Sequence, residues 1–194
     1  PTPSSAASDV YKRQMMNNAR LGVGGQGIGV AEAAFQHSTE YALNRKQGKS
    51  TIQNKHGTII DHADVRRMLI SMRADIFASR SIQLENAKAI DMANATGEPE
   101  WINKAAFLTP ITKVFGTEIG INISNLGVQI HGGMGFIEET GAAQFSRDVR
   151  VTAIYEGTNG IQAMDLVGRK MMDNGEAAYA IINQIKEYID NLSG

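Results

Sequence analysis

A chain of 194 residues suits one large domain or part of a larger protein, and a hydrophobic content of 42% is enough for a real core. Nineteen Lys and Arg stand against 20 Asp and Glu, so a net charge of −1 gives no general attraction to nucleic acid or to an anionic membrane. The absence of cysteine excludes a disulfide framework, a thiol nucleophile and a thiolate metal site, and no apolar run approaches the roughly 20 residues that span a bilayer.

The first segment, 1–14, reads PTPSSAASDVYKRQ. It has no apolar h-region and is not a secretory signal. It resembles translated adaptor sequence, a non-native leader, and is set aside from the fold argument. The remainder starts abruptly at Met15 or Met16, which implies a missing N-terminal part. From 16 to 46, Leu21, Ile28, Phe35 and Ala42 recur at helical spacing, with Val23, Val30, Ala31 and Ala34 widening the stripe. Segment 48–57 is polar and reads as a loop. Asp61 is placed to cap a second long helix carrying Val65, Met68, Leu69, Met72, Ile76, Gln83, Ala87 and Ile90 and ending near Gly97 and Pro99.

Residues 101–107 read as a short helical turn. Thr109-Pro110 then has the form of an N-cap followed by proline at the first helical position. Ile111, Phe115, Ile119, Ile123, Leu126 and Ile130 mark one helical face that ends at Gly132-Gly133. Segment 141–149 predicts a short helix and 150–157 a loop or extended stretch. Thr158 can cap a further helix containing Ile161, Met164, Leu166 and Val167. After the turn Asp173-Asn174-Gly175, an amphipathic helix carries Ala178, Ile182, Ile185, Ile189 and Leu192. With no convincing strand pair, the fold class is all-α, an antiparallel helical bundle. The bundle is assigned to 15–172, and 173–194 to the start of a C-terminal helical extension.

Gly22, Gly24 and Gly27 match G-x-G-x-x-G. That dinucleotide-binding reading requires a hydrophobic strand before the motif, and here the preceding residues are polar and charged. The glycines are read instead as a small-residue helix face, with Gly25 and Gly29 admitting another backbone or a ligand. His37, His56, His62 and His131 show no metal-ligand spacing, so no metal site is expected.

Two motifs carry chemistry. Gln-Ile-His-Gly-Gly-Met-Gly-Phe occupies 129–136, and Ile-Tyr-Glu-Gly-Thr occupies 154–158. A carboxylate is a weak base in water and a stronger one where apolar neighbours and bound substrate exclude water. Ile154 and Tyr155 offer such neighbours to Glu156, and Gly157 leaves room beside it. A lone Glu entering a helix is otherwise more often simply solvated. The glycines at 132–135 let a backbone approach a pyrophosphate, or they only end the preceding helix.

Together these motifs resemble the C-terminal catalytic region of the acyl-CoA dehydrogenases, over about 15–171 and most strongly at 19–48, 129–136 and 147–162. The resemblance implies that Glu156 is the base that removes the α-proton of an acyl-CoA while the β-hydrogen leaves as hydride to FAD. It implies that Gln129 and Gly133 touch a flavin held mainly by a neighbouring subunit. Arg45, within Tyr41-Ala-Leu-Asn-Arg45, matches an arginine that contacts the cofactor pyrophosphate across the interface; its plainer role is a cation at a helix C-terminus. Thr158 would begin a helix facing the cofactor, and Arg20 and Tyr155 would stand behind the reacting groups. Gln47-Gly48 occupies the place where many relatives carry Thr-Phe, and Gly160 a place where many carry Gln.

The long 47–61 segment resembles the larger branch that includes the methylmercaptopropionyl-CoA dehydrogenases. The implied partners are an acyl-CoA substrate, an electron-transferring flavoprotein and copies of the chain itself as a dimer or tetramer, in the cytoplasm. An acyl-CoA oxidase is the alternative within the fold. A DNA-binding or otherwise non-catalytic helical relative is the alternative outside it, and the balanced charge argues against nucleic acid.

Overall fold

The computed structural model describes residues 3–50, 52, 57–172 and 174–192, with side chains from Met15 onward. Part of the 1–14 leader, part of the 48–57 loop and the first residue of the 173–175 turn lie outside the described residues. Three long helices dominate: α1 (Pro3–Asn44), α2 (Ala63–Thr96) and α3 (Pro99–His131). Shorter ones follow: α4 (Gly133–Phe136), α5 (Ala142–Val149), α6 (Asn159–Asp165) and α7 (Glu176–Leu192). Among the described residues no strand forms; one antiparallel bridge joins Lys46 to Thr58. The all-α expectation holds.

Contacts between helices give their directions. Glu32 of α1 pairs with Arg80 of α2, and Lys104 of α3 with Glu85 of α2. In contrast, Gly24, Gly27 and Gly127 place α1 beside α3 with numbers rising together: Gly24 at Thr112, Gly27 at Gly116, Ala34 and Ser38 at Gly127. α1 and α3 therefore run parallel as neighbours, and each is antiparallel to α2. The core between them holds Ala31, Ala34, Ala42, Ile59, Met68, Leu69, Met72, Ile76, Ile119, Ile123 and Ile130. Each of the large side chains among them contributes about 1.5–3 kcal/mol by leaving water.

The α1–α3 crossing depends on missing side chains. A Cβ at Gly27 would lie 2.4 Å from the Gly116 carbonyl oxygen, and one at Gly24 would lie 2.9 Å from that of Thr112. The residues that admit the second backbone are thus Gly24 and Gly27. Gly25 instead faces the flexible end of Gln83, and Gly29 faces open space. This corrects the pairing of Gly25 with Gly29, which fell on the wrong face of the helix.

Three local expectations also change. Asp61 does not cap α2: it is buried in a 3-10 turn (Ile59–Asp61), and His62 stands at the cap position. Thr109-Pro110 does not start a helix, because α3 runs unbroken from Pro99 with Pro110 inside it. A Thr-Pro pair has the same sequence form at a helix start and within a helix. Here the Thr109 hydroxyl donates back to the Ala105 carbonyl at 2.7 Å rather than capping forward. Lastly, of 150–157, read as a loop or extended stretch, only 154–157 is a loop. A 3-10 turn (Arg150–Ala153) continues α5, and the Thr152 hydroxyl donates to the Val149 carbonyl at 2.6 Å.

Candidate functional site

The carboxylate singled out in the sequence sits on an unusual backbone. Glu156 has φ 55°, in the left-handed region that side-chain-bearing residues avoid, and Gly157 follows at φ 86°. A left-handed non-glycine residue costs about 1–2 kcal/mol. The neighbours hold it there. Gln162 of α6 is fully buried, and its Nε2 donates toward the carbonyl oxygens of Glu156 and Gly157, both at 3.4 Å. Thr158 is the N-cap of α6 as the sequence indicates, its hydroxyl oxygen accepting from the Ile161 N–H at 3.2 Å. Tyr155 donates its hydroxyl hydrogen to Gln26 on α1.

Glu156 is exposed, as are Ile154 (53%) and Tyr155 (37%). The apolar enclosure expected from those two neighbours is not formed by this chain alone. At the far end of α6, Arg20 is buried and its Nη1 lies 3.7 Å from the Asp165 carboxylate, which Arg169 also engages. Arg20 thus ties α1 to α6, the helix that starts at the Glu156 loop.

A second group forms elsewhere. Arg45 and Gln129, far apart in sequence, line one open cleft of ≈470 Å³ together with Tyr41, Gln47, Gly48 and Gly132. The Arg45 end of the cleft is fixed by main-chain bonds. Ile59 N–H donates to the Arg45 carbonyl at 2.8 Å, and Gln47 N–H to that of Gly57 at 3.1 Å. Among the described residues no carboxylate forms an ion pair with Arg45. A Cβ at Gly132 or Gly133 would meet nothing within 4 Å, so this turn leaves open space rather than filling it. An uncommitted guanidinium, a side-chain amide and an open glycine turn are a donor set that fits the phosphates of an anionic dinucleotide such as FAD. Gly133 lies just past the cleft, not in its lining.

His131 supports the cleft from beneath. It is buried, stacks on Tyr41 (ring centroids 4.2 Å apart) and on His37 (4.8 Å), and its Nδ1 donates to the Gly127 carbonyl at 2.7 Å. Burial holds its protonation below the ordinary histidine range; the Gly127 bond opposes this and the nearby His37 adds to it.

The sequence-derived residues therefore form two groups. Glu156, Tyr155 and Thr158 stand at the α6 entrance, Arg20 contacts Asp165 at the other end of that helix, and Arg45 and Gln129 share the cleft. Gln162 was missed. Its one trace in the sequence is a polar residue within an apolar helical stretch, which does not reveal the face it turns inward. Among the described residues no group of three or more His, Asp or Glu could hold a metal ion, and no helix is long and apolar enough to cross a membrane.

A family model described as acyl-CoA dehydrogenase, C-terminal domain, matches residues 9–172. The chain is 47% identical over 170 residues to a 3-methylmercaptopropionyl-CoA dehydrogenase of Ruegeria pomeroyi, covering 85% of this chain and 29% of that protein. It is 34% identical over 185 residues to a butyryl-CoA dehydrogenase of Syntrophomonas wolfei, covering 92% and 30%. The chain thus spans under a third of the length of these curated relatives. Among solved structures, Caenorhabditis elegans ACDH-11 in complex with C11-CoA superposes with a TM-score of 0.77 over 91% of this chain and 29% of that one; at 20% identity this likeness concerns the fold.

Proposed function

The chain belongs to the acyl-CoA dehydrogenase family as its C-terminal domain, and from that premise we propose that it supplies the base, Glu156, for α,β-desaturation of an acyl-CoA thioester. The observation that carries this reading is the left-handed backbone at Glu156. Strain held at a single carboxylate, on a loop braced by Gln162 and Thr158, is what a positioned reacting group requires and a merely solvated one does not.

In this reading the Glu156 carboxylate takes the α-proton of the bound thioester. FAD, when bound, would supply the acceptor for the β-hydrogen and its electron pair, so that Cα and Cβ are left joined by a double bond. Arg45 and Gln129 would hold the pyrophosphate of FAD bound to a neighbouring protomer, with the Gly132–Gly133 turn leaving it room. That assignment makes the enzyme at least a dimer. Tyr155 ties the loop to α1 through Gln26, and Arg20 holds the far end of α6 through Asp165. The exposure of Glu156 follows as well: substrate and the remaining domains would enclose it, since this chain matches under a third of its relatives' length. Electrons would pass on to an electron-transferring flavoprotein, and a cysteine-free chain suits the reducing cytoplasm.

The test is to express the chain with the N-terminal helical and middle β-domains of the family and supply a series of acyl-CoA thioesters. Reduction of an electron-transferring flavoprotein without peroxide supports a dehydrogenase. Peroxide formed in step with substrate would make it an oxidase, and inertness toward every thioester would refute the proposal.

A further inference from the structure

Lys113 plays no part in the scheme above, yet it is the largest of the fully buried side chains, with 0% of its surface exposed. Enclosing an ammonium is strongly unfavourable unless hydrogen bonds replace its water. Burial is the main reason that its protonation is held below the ordinary lysine range; repulsion from Arg20 adds to this, and Glu118 opposes both. Its hydrogen-bond partner is a side-chain amide, not a carboxylate: Nζ donates to Asn159 Oδ1 at 2.7 Å.

Asn159 passes the interaction on. Its Nδ2 donates to Glu118 Oε1 at 2.7 Å and to the Thr117 hydroxyl at 3.0 Å. A pure donor on one side and a carboxylate on the other leave the amide one way to face. Asn159 is also the first residue of α6, next to its cap Thr158 and three positions after Glu156. A polar chain thus runs from the middle of α3, through Asn159, to the turn that carries the carboxylate. A methionine would fill the same volume without burying a charge, so packing alone gives no reason for a lysine here.

We infer that Lys113 is a positioning residue for Glu156: by locking Asn159 it fixes the start of α6, and with it the left-handed turn at Glu156 and Gly157. The role rests on the reading of Glu156 as base, and the experiment separates the two. In the 194-residue chain, amide hydrogen exchange is followed at Ile161 and Gln162, whose N–H groups bond to Thr158, and at Met72 and Ile76 in the core as reference. Lys113→Met keeps the volume. Asn159→Ala removes the recipient from a half-buried position and preserves the test if the buried substitution fails to fold.

Either substitution is expected to speed exchange at Ile161 and Gln162 by about 10-fold or more, the factor for losing one hydrogen bond to a charged group. The double variant should be no faster than the single ones, with Met72 and Ile76 unchanged. In the assembled enzyme, Lys113→Met should lower kcat and leave KM near its original value. Unchanged exchange at α6, or equal acceleration throughout the bundle, overturns the inference whatever Glu156 does. So does full turnover by Lys113→Met in an enzyme that Glu156→Gln inactivates. If Glu156→Gln stays active, the base assignment falls, and accelerated exchange confined to α6 still supports the latch.

Discussion

Gln162 reaches back with its side-chain Nε2 to the carbonyl oxygen of Glu156, 3.4 Å away, and so braces from within α6 a residue whose φ is 55°. The turn stores strain that its surroundings hold in place. Replacing Glu156 by Gly relieves about 1–2 kcal/mol of left-handed strain and adds back about 0.5–1 kcal/mol of backbone entropy. Glu156→Gly is therefore expected to raise stability by roughly 0.5–1 kcal/mol in urea unfolding while removing the carboxylate. A loss of stability would show that the backbone at 156 is not strained.

The α1–α3 crossing makes a paired prediction. Gly27→Ala drives a methyl into the Gly116 backbone, which cannot swing aside as a side chain can. It should destabilise the bundle by about 1–3 kcal/mol. Gly29→Ala, two positions on and facing open space, should instead stabilise by about 0.5–1 kcal/mol, the helix preference for alanine. Equal effects at the two sites would contradict the register of the crossing.

Acid should weaken the domain through His131. Its folded protonation lies below the ordinary value of about 6.5. As the pH falls through that value the unfolded chain takes up the proton first, so stability is lost from about pH 6.5 down toward the folded value; above it both states are neutral and the contribution is flat. His131→Phe keeps a ring against Tyr41 and does not titrate. Urea unfolding across pH 5–7.5, a range set by that reference value, should show a shallower slope for the variant. Identical slopes would remove His131 from the acid response.

Arg45 is exposed at the cleft rim and holds no ion pair among the described residues, so Arg45→Ala should leave the fold intact. In the assembled enzyme it should weaken FAD binding by about 10-fold or more, as expected for a lost charge-assisted bond to phosphate. Titration of the apoenzyme with FAD measures this, and sedimentation reports assembly. Unchanged affinity, or a fully active monomer, would count against a flavin site shared between protomers.

The sequence carried the fold class and most helix positions because apolar residues such as Met68, Met72, Ile119 and Ile123 keep helical spacing and are buried where that spacing puts them. It misplaced Pro110 because proline's missing N–H leaves the same trace at a helix start and inside a helix. At the site, Glu156 and Thr158 were legible from their motif, and Thr158 caps α6 as expected. The brace from Gln162 and the latch from Lys113 were not. Both depend on which face of α3 or α6 turns inward, and a polar residue at a helical position does not reveal that. The convergence of Arg45 with Gln129 was likewise invisible to local pattern, since it arises from the parallel packing of α1 and α3.

The most direct measurement is the rate at which an acyl-CoA bleaches the flavin of the assembled Glu156→Gln enzyme. The amide keeps the size of the side chain and cannot accept the α-proton, so flavin and thioester should bind as before. Bleaching should fall by about 10²–10⁴, the range for loss of a positioned base, and toward its upper end because the nearby Glu138 and Glu139 lie on a separate turn. Bleaching at near the original rate would show that another residue removes the proton and that the Glu156 turn is not the catalytic element.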